Sequence, residues 1–186
     1  ELAYGFCTPE WDDRDGFSFE KLPGIFEIDL LRFDSSQVTT MEAMFAGMCD
    51  LRHIILTGLD TSKVTNMDYM FYGCEKLRNL DLSSFNTSSV TSMYRMFEGC
   101  SAMVALDLSG FDMSKVTSYC DMFTGLTGVV DLSNWNFSQE EPNNILINDP
   151  DGNNIDCVIM KNCTQVAVDI INEGILDNDY SGYVID

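Results

Sequence analysis

Residues 77–100 read LRNLDLSSFNTSSVTSMYRMFEGC, and related strings precede and follow this stretch at a constant spacing. The Val-Thr pair of the string recurs in register, beginning at Val38, Val64, Val90 and Val116. Six positions after each Val comes a Met-Phe pair, and a glycine stands two residues after each Phe. A constant internal period of this kind indicates structural units that stack on one another and share one core.

Each unit divides into two halves with different periodicity. In the first half Leu80 and Leu82 alternate with Asp81, which predicts a short strand with the leucines facing inward. In the second half apolar residues stand at i, i+3, i+4 and i+7, as in Met67, Met70, Phe71 and Cys74. This spacing predicts a short helix with one apolar stripe.

The repeated halves predict an α/β solenoid with a short parallel β-sheet on the concave side and short helices on the convex side. Residues 25–138 form the solenoid, with four helices and five strands that begin at Ile28, Ile54, Leu80, Leu106 and Val130. Caps are expected at both ends, because the terminal units of a stack would otherwise expose their core. Residues 1–24, which include Trp11, Phe17 and Phe19, form the N-terminal cap. Residues 139–186 form a C-terminal cap of α+β type, with strands over 145–147, 157–160 and 180–185 and a helix around 166–171.

The string at residues 77–100 resembles the 26-residue leucine-rich repeat of bacterial surface proteins. That family includes the BspA-like proteins and a domain of unknown function first described in mycoplasma lipoproteins. The resemblance extends over roughly residues 25–138, and the departures from its pattern are Met48, Ile55, Tyr119 and Leu126. It implies a leucine-rich repeat fold, a cell-surface or secreted location, a connection with adhesion, and no catalytic residues or cofactor.

Charge and composition exclude several classes of partner. The 186 residues carry 30 acidic and 10 basic side chains, a formal net charge of −20, which disfavours nucleic acid and anionic membranes as partners. No apolar run is long enough to span a bilayer, and the first residues lack the pattern of a signal peptide. A signal or anchor is therefore expected to be absent from this sequence, and the domain is expected to be a monomer.

Outward-pointing side chains of the predicted strands form a candidate binding face for a protein or a glycan. Its residues are His53, Ile55, Asn79, Asp81, Ala105, Asp107 and Asp131. The alternative is that each strand aspartate bonds the following serine or a backbone amide, which would make the aspartates part of the repeat architecture. A weaker candidate is a calcium site at Asp149, Asp151, Asn153 and Asp156, although Gly152 is not at the position that an EF-type loop requires.

Catalysis and zinc binding have little support in the sequence. His53 is the single imidazole and is expected to be an exposed strand residue, and the cysteines show no paired C-x-x-C spacing. Cys74 and Cys100 fall on the apolar stripe and are expected to fill the core. Cys157 with Cys163, or Cys7 with another thiol, are candidate disulfides in a secreted protein.

The sequence therefore favours a non-catalytic module for recognition or adhesion at a cell surface. The alternative is a structural spacer of a larger surface protein with no ligand of its own. An intracellular scaffold is a third interpretation, favoured if all seven thiols are reduced.

Overall fold

A computed structural model describes residues 9–10, 18–137, 155–176 and 183–185. Side chains are described for residues 19–137 and 155–171. In chain order the elements are β1 Pro9–Glu10, β2 Ser18–Phe19, β3 Glu27–Asp29, β4 His53–Ile55, β5 Ala105–Asp107, β6 Gly128–Asp131, β7 Ile155–Ile159, α1 Gln165–Leu176 and β8 Tyr183–Ile185. The predictions for Trp11, Phe17 and residues 145–147 lie outside the described residues.

Short parallel strands form one side of the molecule, which we call the strand side. β3 pairs with β4, and β5, β6, β7 and β8 form a second sheet in that order, all in parallel. β1 and β2 form a separate antiparallel pair. The inward residues alternate with outward ones as expected, because Ile54, Leu80 and Leu106 are buried. The parallel-strand, repeat-like topology predicted from the sequence is confirmed.

The third predicted strand, over residues 80–82, does not form among the described residues. In its place a single parallel bridge joins Asn79 to Ala105. The Asp81 carboxylate accepts the Ser83 amide at 3.0 Å, so the chain turns here as it does after the strands that form. Only about three residues of each unit can pair on this side, and a segment so short loses its ladder when one bond is missing.

Consecutive turns form the opposite side of the molecule, which we call the turn side: residues 41–47, 67–73, 93–99 and 119–125. Every second amide along a turn segment donates to a carbonyl of the next unit. In the second unit the donors are Met67, Tyr69, Phe71 and Gly73, at N to O distances of 2.8 to 2.9 Å. The same four bonds occur between the first and second units and between the third and fourth. This pattern, which we call the turn-side ladder, crosses all four units without interruption.

The prediction of four short helices on this side was wrong. The third residue of each turn segment has a left-handed backbone, with φ of 52° to 58° at Ala43, Tyr69, Arg95 and Asp121. A left-handed residue cannot continue a right-handed helix, and at the first three of these positions the amide donates to the neighbouring unit instead of to its own chain four residues back. The apolar residues at helical spacing in these segments are therefore buried by successive turns and not by a helix.

Phenylalanine rings stack through the core directly behind the turn-side ladder. The ring of Phe71 lies 5.3 Å from that of Phe45 and 5.7 Å from that of Phe97, measured between centroids. The stack continues through Phe123 to Trp135, and all five side chains are buried. Offset-stacked rings at these separations add to the free energy gained by apolar burial.

The C-terminal segment continues the sheet of the repeats. β7 pairs with β6, and β8 pairs with β7, so the strand order follows the chain. α1 is the one helix of the described chain, and it confirms the helix predicted around residues 166–171. Its start is capped by Thr164, whose hydroxyl accepts the Ala167 amide at 3.3 Å. Ala167, Ile170 and Ile171 are buried against the core.

Gly73 tests the left-handed geometry of the turn side. Its φ is +67°, and a methyl group there would contact only Gly47, at 3.7 Å or more. Gly73→Ala should therefore lower the free energy of unfolding by about 1 to 2 kcal/mol through backbone strain alone. The matched control is Gly110→Ala, because Gly110 has no left-handed φ and a methyl group there meets no described atom within 4 Å. The control should be neutral or stabilising by up to about 1 kcal/mol in urea unfolding; equal effects of the two substitutions would contradict the assigned turn.

Candidate functional site

The first row of predicted binding residues lies across the strand side at one position of the repeat. Strand pairing places His53 beside Glu27, and the bridge places Asn79 beside Ala105. His53, Asn79 and Ala105 are all exposed. The His53 Nδ1 lies 3.6 Å from a Glu27 carboxylate oxygen, with about two thirds of both side chains exposed. The structure therefore shows two exposed pairs at this position, Glu27 with His53 and Asn79 with Ala105.

The second predicted row contains the strand aspartates and Ile55. Asp107 is in register with Asp131, and Ile55 is in register with Asp29. Asp81 and Asp107 are exposed, whereas Ile55 and Asp131 are half-buried. Two parts of the predicted row are thus in register, and its use as a binding face stays a prediction.

Each strand aspartate also holds the turn that follows it. The Oδ1 atoms of Asp29, Asp81, Asp107 and Asp131 accept the backbone amide two residues later at 2.8 to 3.0 Å. For Asp81 the Ser83 hydroxyl donates to the same oxygen, and these two bonds lower the pKa of that carboxyl. The architectural explanation of the aspartate row is confirmed, and one oxygen of each carboxylate is engaged by the chain itself.

A row that the sequence reasoning missed lies just before the strands. Phe26, Arg52, Arg78 and Val104 occupy the same position of four successive units, and we call them the arginine row. All four side chains are exposed, and Phe26, Val104 and Leu31 are the large hydrophobic residues most exposed among those described. Extending the repeat columns by one position would have revealed this row.

Half-buried carboxylates on the turn side were also missed. The Asp68 Oδ1 accepts the Ser92 hydroxyl and the Tyr94 amide, and Asn66 lies between Asp68 and Glu42. Burial raises the pKa of Asp68 despite these hydrogen bonds, and burial together with the Asp68 charge raises the pKa of Glu42. The repeat columns align Glu42 with Asp68 but do not indicate that the two carboxylates are half-buried, because the same position holds Tyr94 in the next unit.

Arg95 links two units next to this pair. Its guanidinium lies 3.1 Å from Asp121 and 3.3 Å from Glu98, and it also covers the ring of Tyr94 at 5.1 Å. The side chains of the three charged residues are about four fifths or more buried. Arg95 is therefore neutralised by two carboxylates and contributes to the packing of the turn side.

The cysteines on the apolar stripe of the repeat are buried in the core. The buried thiols of Cys74 and Cys100 donate to the carbonyls of Phe45 and Phe71 at 3.3 Å. Burial raises the pKa of Cys100 to about 12, so its thiol stays protonated near neutral pH. Both thiols are core residues, as predicted. Cys163 is a free thiol, so the predicted disulfide between Cys157 and Cys163 is not formed.

The calcium prediction is mostly untested, because Asp149, Asp151 and Asn153 lie outside the described residues. Asp156 is exposed on β7. Within the described ranges, no three His, Cys, Asp or Glu side chains are grouped so that they could hold a metal ion. The calcium site stays a prediction.

Asp68 gives the turn side a pH dependence of known sign. Its folded pKa is raised, so its contribution to stability is complete below the unfolded value of 3.8 and is lost as pH rises through the folded pKa. Asp68→Asn keeps an oxygen that can accept the Ser92 and Tyr94 hydrogen bonds. We expect this variant to gain stability over the natural protein progressively from acid to neutral pH in urea unfolding. Asp107→Asn, which removes the same charge from an exposed position, is the control; an equal gain there would show that the effect is general charge repulsion.

Comparison with known proteins identifies the family. The model of the DUF285 family, described as a Mycoplasma protein of unknown function, matches residues 50–156. No curated protein and no solved structure matches the chain significantly. Among the described residues no helix has the length and apolar character needed to cross a membrane. Because the match extends over more than half of the 186 residues, the chain belongs to the DUF285 family.

Proposed function

We propose that this protein is a non-catalytic recognition module that binds a protein or glycan ligand through its strand side. The observation that carries the proposal is the mixed character of that side. Polar residues such as His53 and Asn79 lie beside exposed apolar residues, of which Phe26 is 53% exposed and Val104 is 49% exposed. Exposed apolar residues beside polar ones are typical of interaction surfaces, whereas a spacer is expected to be polar throughout.

The proposal includes a leucine-rich repeat solenoid as the scaffold. Its support is the turn-side ladder, which joins each unit to the next by the same four hydrogen bonds, together with the parallel strand pairs. In such a stack each unit buries its apolar face on its neighbours and leaves one long face for a ligand.

The absence of catalysis is also part of the proposal. His53 is exposed and its described partner is Glu27, while the Cys74 thiol is buried with its pKa well above its usual range. A buried, protonated thiol is not an activated nucleophile, and the His53–Glu27 pair lies open to solvent, with about two thirds of each side chain exposed. We expect no cofactor.

A cell-surface or secreted location follows from the resemblance to BspA-like repeats and is the proposed setting. The net charge of −20 supports a protein or glycan partner over nucleic acid. The alternative, a spacer with no ligand, is favoured by one observation: each strand aspartate already holds a turn within its own unit. The proposed location does not decide between the two.

Binding to a panel of extracellular matrix proteins, cell surfaces and glycans tests the proposal. Asp81→Asn with Asp107→Asn removes two charges from the face but keeps an oxygen that can hold each turn. We expect this double variant to fold normally and to lose about tenfold or more in affinity for a basic protein or a glycan that the natural protein binds through the aspartates. Surface plasmon resonance at low and at physiological salt measures the effect.

The matched control is Asp60→Asn with Asp112→Asn. These residues hold similar turns outside the two rows, at a position where Asn86 occurs naturally. The control should bind like the natural protein. A folded natural protein that binds nothing in the panel would overturn recognition in favour of the spacer.

A further inference from the structure

The arginine row combines two cations with two apolar ends. The Arg52 amide donates to the Phe26 carbonyl and the Val104 amide donates to the Arg78 carbonyl, both at 3.0 Å, so these neighbours lie side by side. The Arg52 guanidinium lies 5.7 Å from the centre of the Phe26 ring. The row therefore runs apolar, cationic, cationic, apolar across four units.

A side-chain ion pair just upstream of the arginines links their two units. Lys76 in the third unit forms an ion pair with Asp50 in the second at 2.6 Å, and these residues stand two positions before Arg78 and Arg52. Asp50 also accepts the Gly24 amide at 2.9 Å. Asp50, the carboxylate nearest in sequence to Arg52, is thus engaged by a lysine and a backbone amide; the Lys76 hydrogen bond lowers its pKa most, and the Arg52 charge adds to this.

The arginines of the row differ from the nearby lysines and from the buried Arg95 in their ion pairs. Lys21 and Lys76 pair with Glu75 and Asp50, and Arg95 is enclosed by two carboxylates. Neither Arg52 nor Arg78 forms an ion pair within the part of the chain that the structure describes. In a protein of net charge −20, Arg52 and Arg78 are two exposed cations in successive units, and each guanidinium offers several hydrogen-bond donors.

The dimensions of the row fit an extended peptide. Neighbouring units lie about 4.8 Å apart, so Phe26 and Val104 are separated by about 14 Å, the length of roughly four extended residues. Guanidinium groups bind carboxylates through paired hydrogen bonds, and the two ends offer contact to apolar side chains. The dense charge of a nucleic acid or sulfated glycan would be repelled by Asp81 and Asp107 nearby, whereas a peptide brings few charges and also uses the apolar ends.

We propose that the arginine row binds an extended acidic segment of a partner protein, with carboxylates on Arg52 and Arg78 and apolar side chains against Phe26 and Val104. This inference rests on the proposed recognition function and names its partner by chemistry. Because Asp81 and Asp107 lie beside the row and repel negative charge, the bound peptide carries only a few carboxylates.

A labelled peptide with a run of glutamates between leucines is the probe, and fluorescence anisotropy at low and physiological salt is the measurement. Arg52→Gln with Arg78→Gln should weaken binding at least about tenfold, because charge-assisted hydrogen bonds are lost. Phe26→Ser should also weaken it, since the apolar end is removed. The matched control is Lys63→Gln with Lys115→Gln, which removes the same charge from two exposed positions elsewhere in the repeat and should leave binding unchanged.

The outcomes separate this inference from the proposed function. Peptide binding that is equal in the arginine and lysine variants would overturn the arginine row and leave recognition intact. The same holds if the natural protein binds a ligand of the panel but not the peptide.

Tighter binding of heparin or an oligonucleotide, lost in the arginine variant, would overturn the peptide in favour of a polyanion. No binding of any probe by the folded protein would overturn both proposals. Far-ultraviolet circular dichroism and thermal unfolding establish that each variant is folded.

Discussion

Hydrogen bonds between backbone groups of successive units on the turn side hold this protein in register. Along each of the first three turn segments every second backbone amide donates to a carbonyl of the next unit. Such an arrangement requires left-handed residues, and these recur at Tyr69 and its equivalents and at Gly73 and its equivalents. The stacked rings of Phe45, Phe71 and Phe97 follow from that register, because equivalent rings are brought to centroid separations of 5.3 Å and 5.7 Å.

The strand side contributes less to the stacking of the units. Its pairing is limited to segments of about three residues and is reduced to one bridge at Asn79, while the turn side continues without interruption. Side chains there are correspondingly varied: the position of Phe26 holds arginine in the next two units and valine in the fourth. A surface whose side chains are not required for stacking can be used for binding, and this is why both proposals place the ligand there.

Parts of this architecture can be read from the sequence because they repeat. The repeat columns predict the buried residues, the parallel strands and the aspartate-held turns, since each column samples one environment four or five times. The turn side was misinterpreted as helical because Met67, Met70, Phe71 and Cys74 show helical spacing, and apolar spacing alone does not report the sign of φ at Tyr69. The Glu42 and Asp68 pair was missed for a different reason: both residues stand at one position of the repeat, but the residue types at that position do not show that the two carboxylates are half-buried.

The turn-side ladder makes the central claim directly measurable by amide hydrogen exchange in the intact protein. The amides of Met67, Tyr69, Phe71 and Gly73, and of their equivalents in the first and third units, should exchange only through global unfolding and at closely similar free energies. The amides of exposed turns on the strand side, such as that of Ser83, should exchange through local opening. Rapid exchange at the turn-side amides, or protection that differs widely from one unit to the next, would contradict the account.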